Sequence, residues 1–253
     1  MSAQYPSLEG RVVFITGGGS GIGAALTRAF AAQRAKVAFV DIAEAESVAL
    51  VEAVGKETGN APLYLRCDIR DIAALRVAIS QVAAQLGTIN VLVNNAANDQ
   101  RHAIASVTPE YWDNQMAINL RPMFFAAQAV VPGMQALRAG SIINFGSVSW
   151  MIGQGGMPAY TSAKAAVHGL TRGLARDFGG DNIRVNTLIP GWVMTERQLK
   201  LWLTPEADAE RAKRQCLPLR VQPEHIAAMA LFLAADDSAA CTAQQYIIDA
   251  GWV

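Results

Sequence analysis

Residues 11–23 read RVVFITGGGSGIG, an apolar run that ends in a glycine-rich turn and continues into a helical pattern. The apolar run is typical of a strand buried on both faces of a sheet. The spacing of Ile22, Leu26 and Phe30 is that of an amphipathic helix. In this order the three pieces form a phosphate-binding unit, because the free N–H groups at the helix start can face a pyrophosphate. The stretch therefore predicts a dinucleotide-binding α/β fold, with a bare structural turn as the alternative.

Val- and Ile-rich runs alternate with helical stretches along the rest of the chain. Strands are predicted at about 11–16, 36–41, 62–68, 90–95, 141–145, 184–189 and 245–249. Repeated β-α units require right-handed crossovers and helices on both faces of the sheet. We therefore expect one doubly wound Rossmann domain over residues 1–253, with a seven-stranded parallel sheet. Residues 192–218 carry two prolines and no strand pattern, which predicts a substrate lid.

The composition restricts the kind of partner and the compartment. The 253 residues contain 21 Lys plus Arg and 21 Asp plus Glu, so no net charge attracts nucleic acid or an anionic membrane. We find no apolar run of the ~18–20 residues that a membrane span needs and no signal peptide pattern at the start. The three cysteines form no C-x-x-C pair, which favours reduced thiols in the cytoplasm. No His, Cys or Asp cluster has metal-ligand spacing, so no metal is expected.

The first two strand ends predict how the cofactor is bound. The turn residues expected at the pyrophosphate are Gly17, Ser20, Gly21, Ile22 and Gly23. Asp41 ends the second strand, where a carboxylate can accept hydrogen bonds from the adenosine ribose and repel a 2′-phosphate. Neither Gly18 nor Ile42 supplies a compensating positive charge, so NAD is predicted over NADP. The alternative is an Asp that caps the following helix.

The next two strand ends carry weaker signals. Asp68 could face the adenine or cap the next helix. Asn95 and Ala96 lie at the end of the fourth predicted strand, where small side chains would leave room for the cofactor.

Tyr160 and Lys164 lie four residues apart in a helix predicted from Ala159 to Phe178, so both project from one face. A nearby ammonium favours the phenolate and would lower the pKa of Tyr160 towards neutrality. Ser147, thirteen residues earlier, could hold a substrate oxygen beside that phenol. Asn119 is predicted in the middle of a helix that starts near Pro109.

A proline lies close to Asn119 in this predicted helix. Pro122 should distort the helix next to Asn119, because its ring and missing N–H disturb the turn before it. Backbone groups freed at such a bend could hold a water for a proton relay.

Taken together, the chain resembles the short-chain dehydrogenase/reductase family. The matching pieces, in the order and spacing of the family, are TGGGSGIG (16–23), Asp68, NNAA (94–97), Asn119, Ser147, YTSAK (160–164), PG (190–191) and Thr195. Ala97 departs from the pattern, since the family usually has glycine there.

This resemblance implies a role for each matched residue and an oligomeric state. Tyr160 would be the general acid/base, Lys164 would lower its pKa and bind the nicotinamide ribose, and Ser147 would orient the substrate oxygen. Asn119 would hold the relay water. Further cofactor contacts would be Ile69, Pro190, Gly191, Val193 and Thr195. The resemblance also implies a homotetramer.

The substrate region is rich in hydrogen-bonding and aromatic side chains. Besides Ser147 and Tyr160, the candidates are Asn98, Asp99, Arg101, His102, Ser149, Trp150, Gln154, Trp192, Arg197 and Gln198. Such a set suits a small polyhydroxylated ligand, whose hydroxyls each need a partner. The alternative is that these are solvated loop residues, that the tryptophans only pack and that His102 is structural.

Four stretches narrow the resemblance to a class of substrate. NDQRH (98–102), INFGSVSW (143–150), ERQ (196–198) and IDAGW (248–252) resemble bacterial aldose 1-dehydrogenases. These enzymes oxidise C1 of sugars such as D-xylose, L-arabinose or D-galactose to lactones. The alternatives are an NADPH-dependent reductase of 3-oxoacyl thioesters or another ketone, and a non-catalytic NAD-binding sensor.

Overall fold

The computed structural model describes residues 3–253, and this part of the chain forms a parallel sheet of seven strands flanked by helices. The strand order is β3-β2-β1-β4-β5-β6-β7. The strands are β1 (Val12–Thr16), β2 (Lys36–Asp41), β3 (Leu63–Arg66), β4 (Ile89–Asn94), β5 (Gly140–Phe145), β6 (Ile183–Pro190) and β7 (Gln245–Ile248). The predicted doubly wound parallel sheet is therefore confirmed.

Helices cover both faces of the sheet. They are α1 (Gly21–Ala32), α2 (Glu44–Thr58), α3 (Ile72–Leu86), α4 (Pro109–Asn119), α5 (Arg121–Leu137), α6 (Pro158–Phe178), α7 (Glu196–Leu201), α8 (Pro205–Arg214) and α9 (Pro223–Ala234). In residues 3–253 no helix is both long and apolar enough to cross a membrane.

Successive residues of the central strands are buried on opposite faces of the sheet. Val13 and Ile15 of β1 belong to the core shared with α1, α2 and α9, whereas Val12 and Phe14 belong to the core shared with α3, α5 and α6. Because side chains alternate along a strand, both faces must be apolar, which explains the continuous hydrophobic run in the sequence.

The helix that was predicted to run through Asn119 is in fact two helices. Asn119 is the last residue of α4, Leu120 departs from helical geometry at φ −136° and ψ −56°, and α5 begins at Arg121. Pro122 explains the break, because its ring clashes with the preceding turn and it has no N–H to donate. In the first turn of α5 the missing N–H is no loss. The prediction of a mid-helix Asn119 was therefore wrong, although the proline that disturbs the helix was correctly identified.

The direction of strand order reverses between β1 and β4, since β2 and β3 lie on one side of β1 and the later strands on the other. In open α/β sheets, ligands bind outside the carboxyl ends of the strands at such a reversal. This edge carries the residues that follow each strand, among them Gly17, Asn95, Ser147 and Gly191.

Candidate active site

The glycine-rich turn between β1 and α1 packs too closely against its neighbours to hold side chains. Gly17 and Gly21 have φ values of +66° and +52°, in the left-handed region that favours glycine. A Cβ on Gly23 would overlap the carbonyl of Gly17, and a Cβ on Gly19 would overlap the Ser47 hydroxyl. Ser20 caps α1 without a side-chain hydrogen bond, so the N–H groups of the first turn point outward for an anion.

Asp41 joins the end of β2 to this turn. One carboxylate oxygen accepts a hydrogen bond from the Gly19 N–H at 2.9 Å, and the other accepts from the Ala43 N–H at 3.0 Å. The N-cap of α2 is Ala43, so Asp41 lies before the helix rather than at its cap. The carboxylate therefore lies against the glycine turn, and the side chain of Ile42 beside it is exposed and uncharged.

Asp68 and Asn95 have different partners at the neighbouring strand ends. Asp68 forms an ion pair with Arg70 at 2.5 Å, and the Arg70 hydrogen bond lowers the pKa of this carboxyl. Asp71 caps α3 by accepting from the Ala74 N–H at 3.0 Å, so the alternative that Asp68 is the cap was wrong. The Asn95 amide donates to the carbonyls of Thr16 and Gly17, which ties β4 to the glycine turn.

A cavity of about 450 Å³ opens at this edge of the sheet. Of the predicted site residues, its lining includes Ile22, Asn95, Asp99, Arg101, Ser147, Ser149, Gln154, Tyr160, Lys164, Pro190, Gly191, Trp192, Val193, Thr195 and Gln198. The predicted residues outside its lining are Gly17, Ser20, Gly21, Gly23, Asp41, Asp68, Ile69, Ala96, Asn98, His102, Asn119, Trp150 and Arg197. The structure thus brings the residues after β4, β5 and β6 together around one space.

Tyr160, Lys164 and Ser147 meet in this cavity. Lys164 is buried, its ammonium lies 5.7 Å from the centre of the Tyr160 ring, and it donates a 2.8 Å hydrogen bond to the carbonyl of Phe145. Burial lowers the pKa of Lys164 to about 7. The Ser147 hydroxyl accepts from the Ser149 N–H at 3.2 Å, which fixes its position two residues after β5.

The electrostatics of Tyr160 differ from the expectation drawn from the sequence. Burial raises the pKa of Tyr160 to about 12, and a hydrogen bond with Ser147 offsets this only in part. Asp99 raises this pKa further and Arg101 lowers it. The expected lowering by Lys164 was therefore wrong for the protein by itself, because removing the phenol from water outweighs the nearby charges.

The side chain of Asn119 holds the loop that follows β4. Its oxygen accepts from the Asn98 N–H at 2.9 Å, and its amide donates to the Asn98 carbonyl at 3.2 Å and to the Gln115 side chain at 2.9 Å. Asn119 is fully buried at the end of α4, so these bonds are shielded from water. The structure thus gives this side chain a positioning contact, and the relay water stays a prediction.

Segment 192–218 contacts the loop after β4 through one carboxylate. Asp99 accepts from the Gln198 amide at 2.7 Å and from the Arg197 guanidinium at 3.3 Å. The Gln198 oxygen in turn accepts from the Trp192 indole at 3.0 Å. Two side chains of α7 therefore form hydrogen bonds to Asp99 across the mouth of the cavity.

A family model described as Enoyl-(Acyl carrier protein) reductase matches residues 17–253. The chain is 51% identical to the protein named "Probable galactose dehydrogenase GalD" of Rhizobium meliloti, over 99% of this chain and 98% of that protein. It is also 51% identical to D-xylose 1-dehydrogenase of Caulobacter vibrioides, over 99% of each.

A short-chain type dehydrogenase/reductase of Mycobacterium ulcerans has the same architecture, with a TM-score of 0.92 at 25% identity over 99% of this chain and 91% of that one. The chain belongs to the short-chain dehydrogenase/reductase family. It is therefore an oxidoreductase of a family that uses nicotinamide cofactors, and its close relatives are sugar dehydrogenases.

Two residues predicted to contact the substrate of this short-chain dehydrogenase have other partners. The His102 ring lies 2.9 Å from the Tyr111 hydroxyl and accepts from the Ala159 N–H at 3.5 Å, so it joins α4 to the start of α6. The Trp150 ring packs edge-on against His168, with 5.0 Å between ring centres. Since neither lines the cavity, the structural alternative is the better interpretation of both.

Arg101 and Gln154 do line the cavity of the dehydrogenase, and they contact each other. With its carboxamide turned so that the oxygen faces Arg101, Gln154 accepts from both terminal guanidinium nitrogens at 2.5 and 3.0 Å. The same guanidinium lies 4.9 Å above the Trp202 ring, in a cation–π arrangement. This contact joins the loops after β4 and β5 to the end of α7.

Sequence reasoning missed part of the cavity wall. The additional lining residues include Ile152, Met157, Trp202, Ala207, Glu210 and Trp252. Most of them come from α8, from the end of α7 and from the last residues of the chain, whose paths over the cavity no local pattern reveals. Trp252 did have a signal, because it closely follows β7, whose carboxyl end lies at the ligand-binding edge.

Proposed function

We propose that this short-chain dehydrogenase oxidises an aldose at its C1 hydroxyl to the aldonolactone, with NAD as the cofactor. The observation that carries the proposal is one cavity in which Tyr160, Ser147 and Lys164 lie together with hydrogen-bonding side chains, set among tryptophans and aliphatic residues; the hydrogen-bonding side chains are Asp99, Arg101, Gln154 and Gln198. A polyhydroxylated substrate needs such polar partners for its hydroxyls. The two relatives named for galactose and D-xylose support the same class.

The residues present fit a nicotinamide dinucleotide. The glycine turn packs so closely against its neighbours that side chains would not fit, and the N–H groups at the start of α1, which no side chain caps, suit a pyrophosphate. Asp41 supports NAD over NADP, because a carboxylate against this turn repels a 2′-phosphate and Ile42 offers no compensating charge. Lys164 would hold the nicotinamide ribose, and Pro190, Gly191 and Thr195 line the cavity where the ring would lie.

The mechanism follows from the positions of three side chains. Ser147 donates a hydrogen bond to the C1 oxygen and holds it beside Tyr160. Tyr160 then removes the C1 hydroxyl proton as the general base. A bound oxidised nicotinamide supplies the acceptor for the hydride that leaves C1. Lys164 is buried beside the phenol, and in its protonated form it would stabilise the phenolate that has to be present before Tyr160 can accept the C1 proton.

The other sugar hydroxyls would be bound by the side chains across the cavity. Asp99 and Gln198 offer acceptors and a donor at its mouth, and Arg101 with Gln154 offers donors at its side. We propose that segment 192–218 is a lid that closes over the sugar. The hydrogen bonds from Arg197 and Gln198 of α7 to Asp99 would hold the lid in its closed position. The homotetramer and the cytoplasmic location stay predictions from the sequence.

The test is NADH formation across a panel of pentoses and hexoses, with NAD and NADP compared at equal concentrations. We expect turnover with at least one of D-xylose, L-arabinose and D-galactose, and a higher kcat/KM with NAD. The matching family model, described as Enoyl-(Acyl carrier protein) reductase, makes a reductase of acyl thioesters the alternative to test. Faster NADPH-dependent reduction of a 3-oxoacyl thioester, with all sugars inert, would overturn the proposal.

A further inference from the structure

The last residues of the chain form a turn that is held by one buried carboxylate. Asp249 follows β7 and is 4% exposed. One of its carboxylate oxygens accepts from the Gly251 N–H at 2.8 Å and the other from the Val253 N–H at 2.9 Å. Trp252 therefore lies between the two residues whose backbone N–H groups bind the Asp249 carboxylate.

This turn has an unusual backbone conformation. Ala250 and Gly251 have φ values of +62° and +79°, and the first of these is costly for a residue with a side chain. A Cβ on Gly251 would lie 2.8 Å from the Cβ of Cys216, so the tail packs directly against the chain after α8. Strained conformations of this kind persist where the surroundings fix them, and they concentrate at functional sites.

The tail is also tied to the segment that carries the predicted lid. The Cys216 N–H donates to the Gly251 carbonyl at 3.2 Å, and the Leu217 N–H donates to the Ala250 carbonyl at 3.0 Å. The Gln215 amide donates to the Asp249 carbonyl at 3.1 Å. The end of the chain and the end of α8 therefore form one structural unit.

Trp252 lines the cavity, together with Trp202, Ala207 and Glu210 from segment 192–218. Within residues 3–253 the indole N–H groups of Trp202 and Trp252 have no hydrogen-bond acceptor. Two indole rings therefore make this wall of the cavity bulky.

The sheet order places this wall away from the reacting carbon. Ser147 follows β5 and Trp252 follows β7, and β6 lies between these strands. Neighbouring strands are about 4.8 Å apart, so the ends of β5 and β7 are separated by roughly 10 Å. A substrate whose oxygen lies at Ser147 and Tyr160 therefore extends its far end towards Trp252.

We propose that Trp252 limits the size of the substrate at the end away from the reacting carbon, and that Asp249 positions it there. The inference rests on the proposed function, because that function places the reacting carbon at Tyr160. In an aldopyranose C4 lies opposite C1 across the ring, and the substituent of the adjacent C5 also extends away from C1; this substituent is a hydroxymethyl group in a hexopyranose and only hydrogen in a pentopyranose. Trp252 thus determines the selectivity between pentose and hexose.

The test compares L-arabinose with D-galactose, whose pyranose rings differ only in the hydroxymethyl group on C5. We expect Trp252→Ala to raise the ratio of kcat/KM for D-galactose over L-arabinose about tenfold, as for a group of this size in an enclosed pocket. Trp252→Phe should give a smaller rise. Trp150→Ala, which removes an indole that does not line the cavity, is the matched control and should leave the ratio unchanged.

Asp249→Asn tests the positioning role. An amide can accept only one of the two backbone N–H bonds well, so the ratio should move in the direction seen with Trp252→Ala. A merely structural role would lower Tm and reduce the activity on both sugars equally. An equal loss in Asp249→Asn would overturn its positioning role, and an unchanged ratio in a folded Trp252→Ala would overturn the size limit.

The design separates this inference from the proposed function. If the wild-type enzyme oxidises no aldose, the sugar proposal fails, and the same variants are assayed on secondary alcohols from 2-butanol to 2-octanol. A shift of preference towards longer alcohols in Trp252→Ala supports the size limit, and an unshifted preference overturns it. Measured Tm and NADH affinity, both expected to stay close to wild type for Trp252→Ala, confirm that the fold and the cofactor site are intact.

Discussion

The buried ammonium of Lys164 donates a 2.8 Å hydrogen bond to the carbonyl of Phe145, the last residue of β5. Phe145 lies two residues before Ser147, and Lys164 lies one helical turn after Tyr160. One bond between α6 and β5 therefore fixes the phenol relative to the serine hydroxyl. It also buries a charged group, which has a measurable consequence for stability.

Lys164→Met should remove a pH dependence of folding. Burial lowers the pKa of Lys164 to about 7, whereas an unfolded lysine titrates near ~10.4. Between these values the unfolded state binds more protons, so the free energy of unfolding of the wild type rises with pH, by about 2 kcal/mol from pH 7 to 9. Urea unfolding at pH 7, 8 and 9 without cofactor measures this rise.

The rise attributable to Lys164 should be absent in Lys164→Met and present in Lys56→Met, whose lysine is exposed on α2. The same slope in wild type and Lys164→Met would show that the buried amine does not titrate in this range.

Tyr160→Phe should abolish proton removal while leaving cofactor binding intact. Loss of a general base costs at least ~3 kcal/mol of transition-state stabilisation, or about 100-fold or more in kcat. Steady-state sugar oxidation gives kcat, and NADH fluorescence titration gives the binding affinity. Near-normal turnover in this variant would remove Tyr160 from its proposed role.

Sugar oxidation should accelerate with pH between 7 and 9. Burial raises the pKa of Tyr160 to about 12, so the phenol is mostly protonated in this range and each pH unit increases the phenolate fraction. Reduction of the lactone needs the protonated phenol and should not show this rise. The measurement is kcat/KM for the sugar against pH with a C1-deuterated substrate alongside. A flat profile in the presence of a full isotope effect contradicts the base assignment.

Asp41→Asn should relax the preference for NAD. The change keeps one acceptor for the Gly19 N–H but removes the negative charge that repels a 2′-phosphate. We expect the ratio of kcat/KM for NADP over NAD to rise about tenfold, which corresponds to ~1.4 kcal/mol. Asp68→Asn is the control, since that carboxylate is paired with Arg70. An equal change in both variants would mean that Asp41 does not discriminate.

Gln198→Leu should weaken sugar binding more than Arg197→Met does. The first variant leaves one oxygen of Asp99 and the Trp192 indole each without a partner, at a cost of ~1–3 kcal/mol, so KM for the sugar should rise about tenfold with little change in kcat. The second removes only a largely exposed ion pair, worth at most about 1 kcal/mol. Comparable KM values in the two variants would show that Gln198 is not the main contact that holds α7 against Asp99.

The fold was predictable because each central strand is apolar on both faces. The ends of β2 were predicted to the residue, and those of β1, β4, β5 and β6 to within one. The edge strand β3 is shorter than predicted, since it has one neighbour and residues 62, 67 and 68 fall outside its ladder with β2. The sequence predicted one distorted helix around Asn119 where the structure has two helices, because a proline in a helical pattern is compatible either with a bend or with the start of a new helix.

The positions of the site residues were predictable from the sequence mainly where the carboxyl ends of strands determine them. Ser147 and Gly191 follow strands whose order determines their neighbours, and Tyr160 lies on the helix after β5. The predicted lid at 192–218 includes Trp202 and Glu210, but neither was named as a site residue, and Trp252 was not assigned to the site, since the approach of each to the cavity depends on how distant segments pack. The pKa of Tyr160 was predicted in the wrong direction because the extent of burial cannot be read from a four-residue spacing.

The side chain of Asn119 forms hydrogen bonds with both the backbone N–H and the backbone carbonyl of Asn98. Asp99, which binds Gln198 of α7, comes directly after Asn98. The carboxylate that binds the proposed lid is thus anchored to the framework of the protein, while α7 has no buried residue of its own. For the proposed oxidation of an aldose, admission of the sugar and departure of the lactone would then require displacement of one side of the cleft only. The stationary side keeps its alignment with Tyr160 from one turnover to the next.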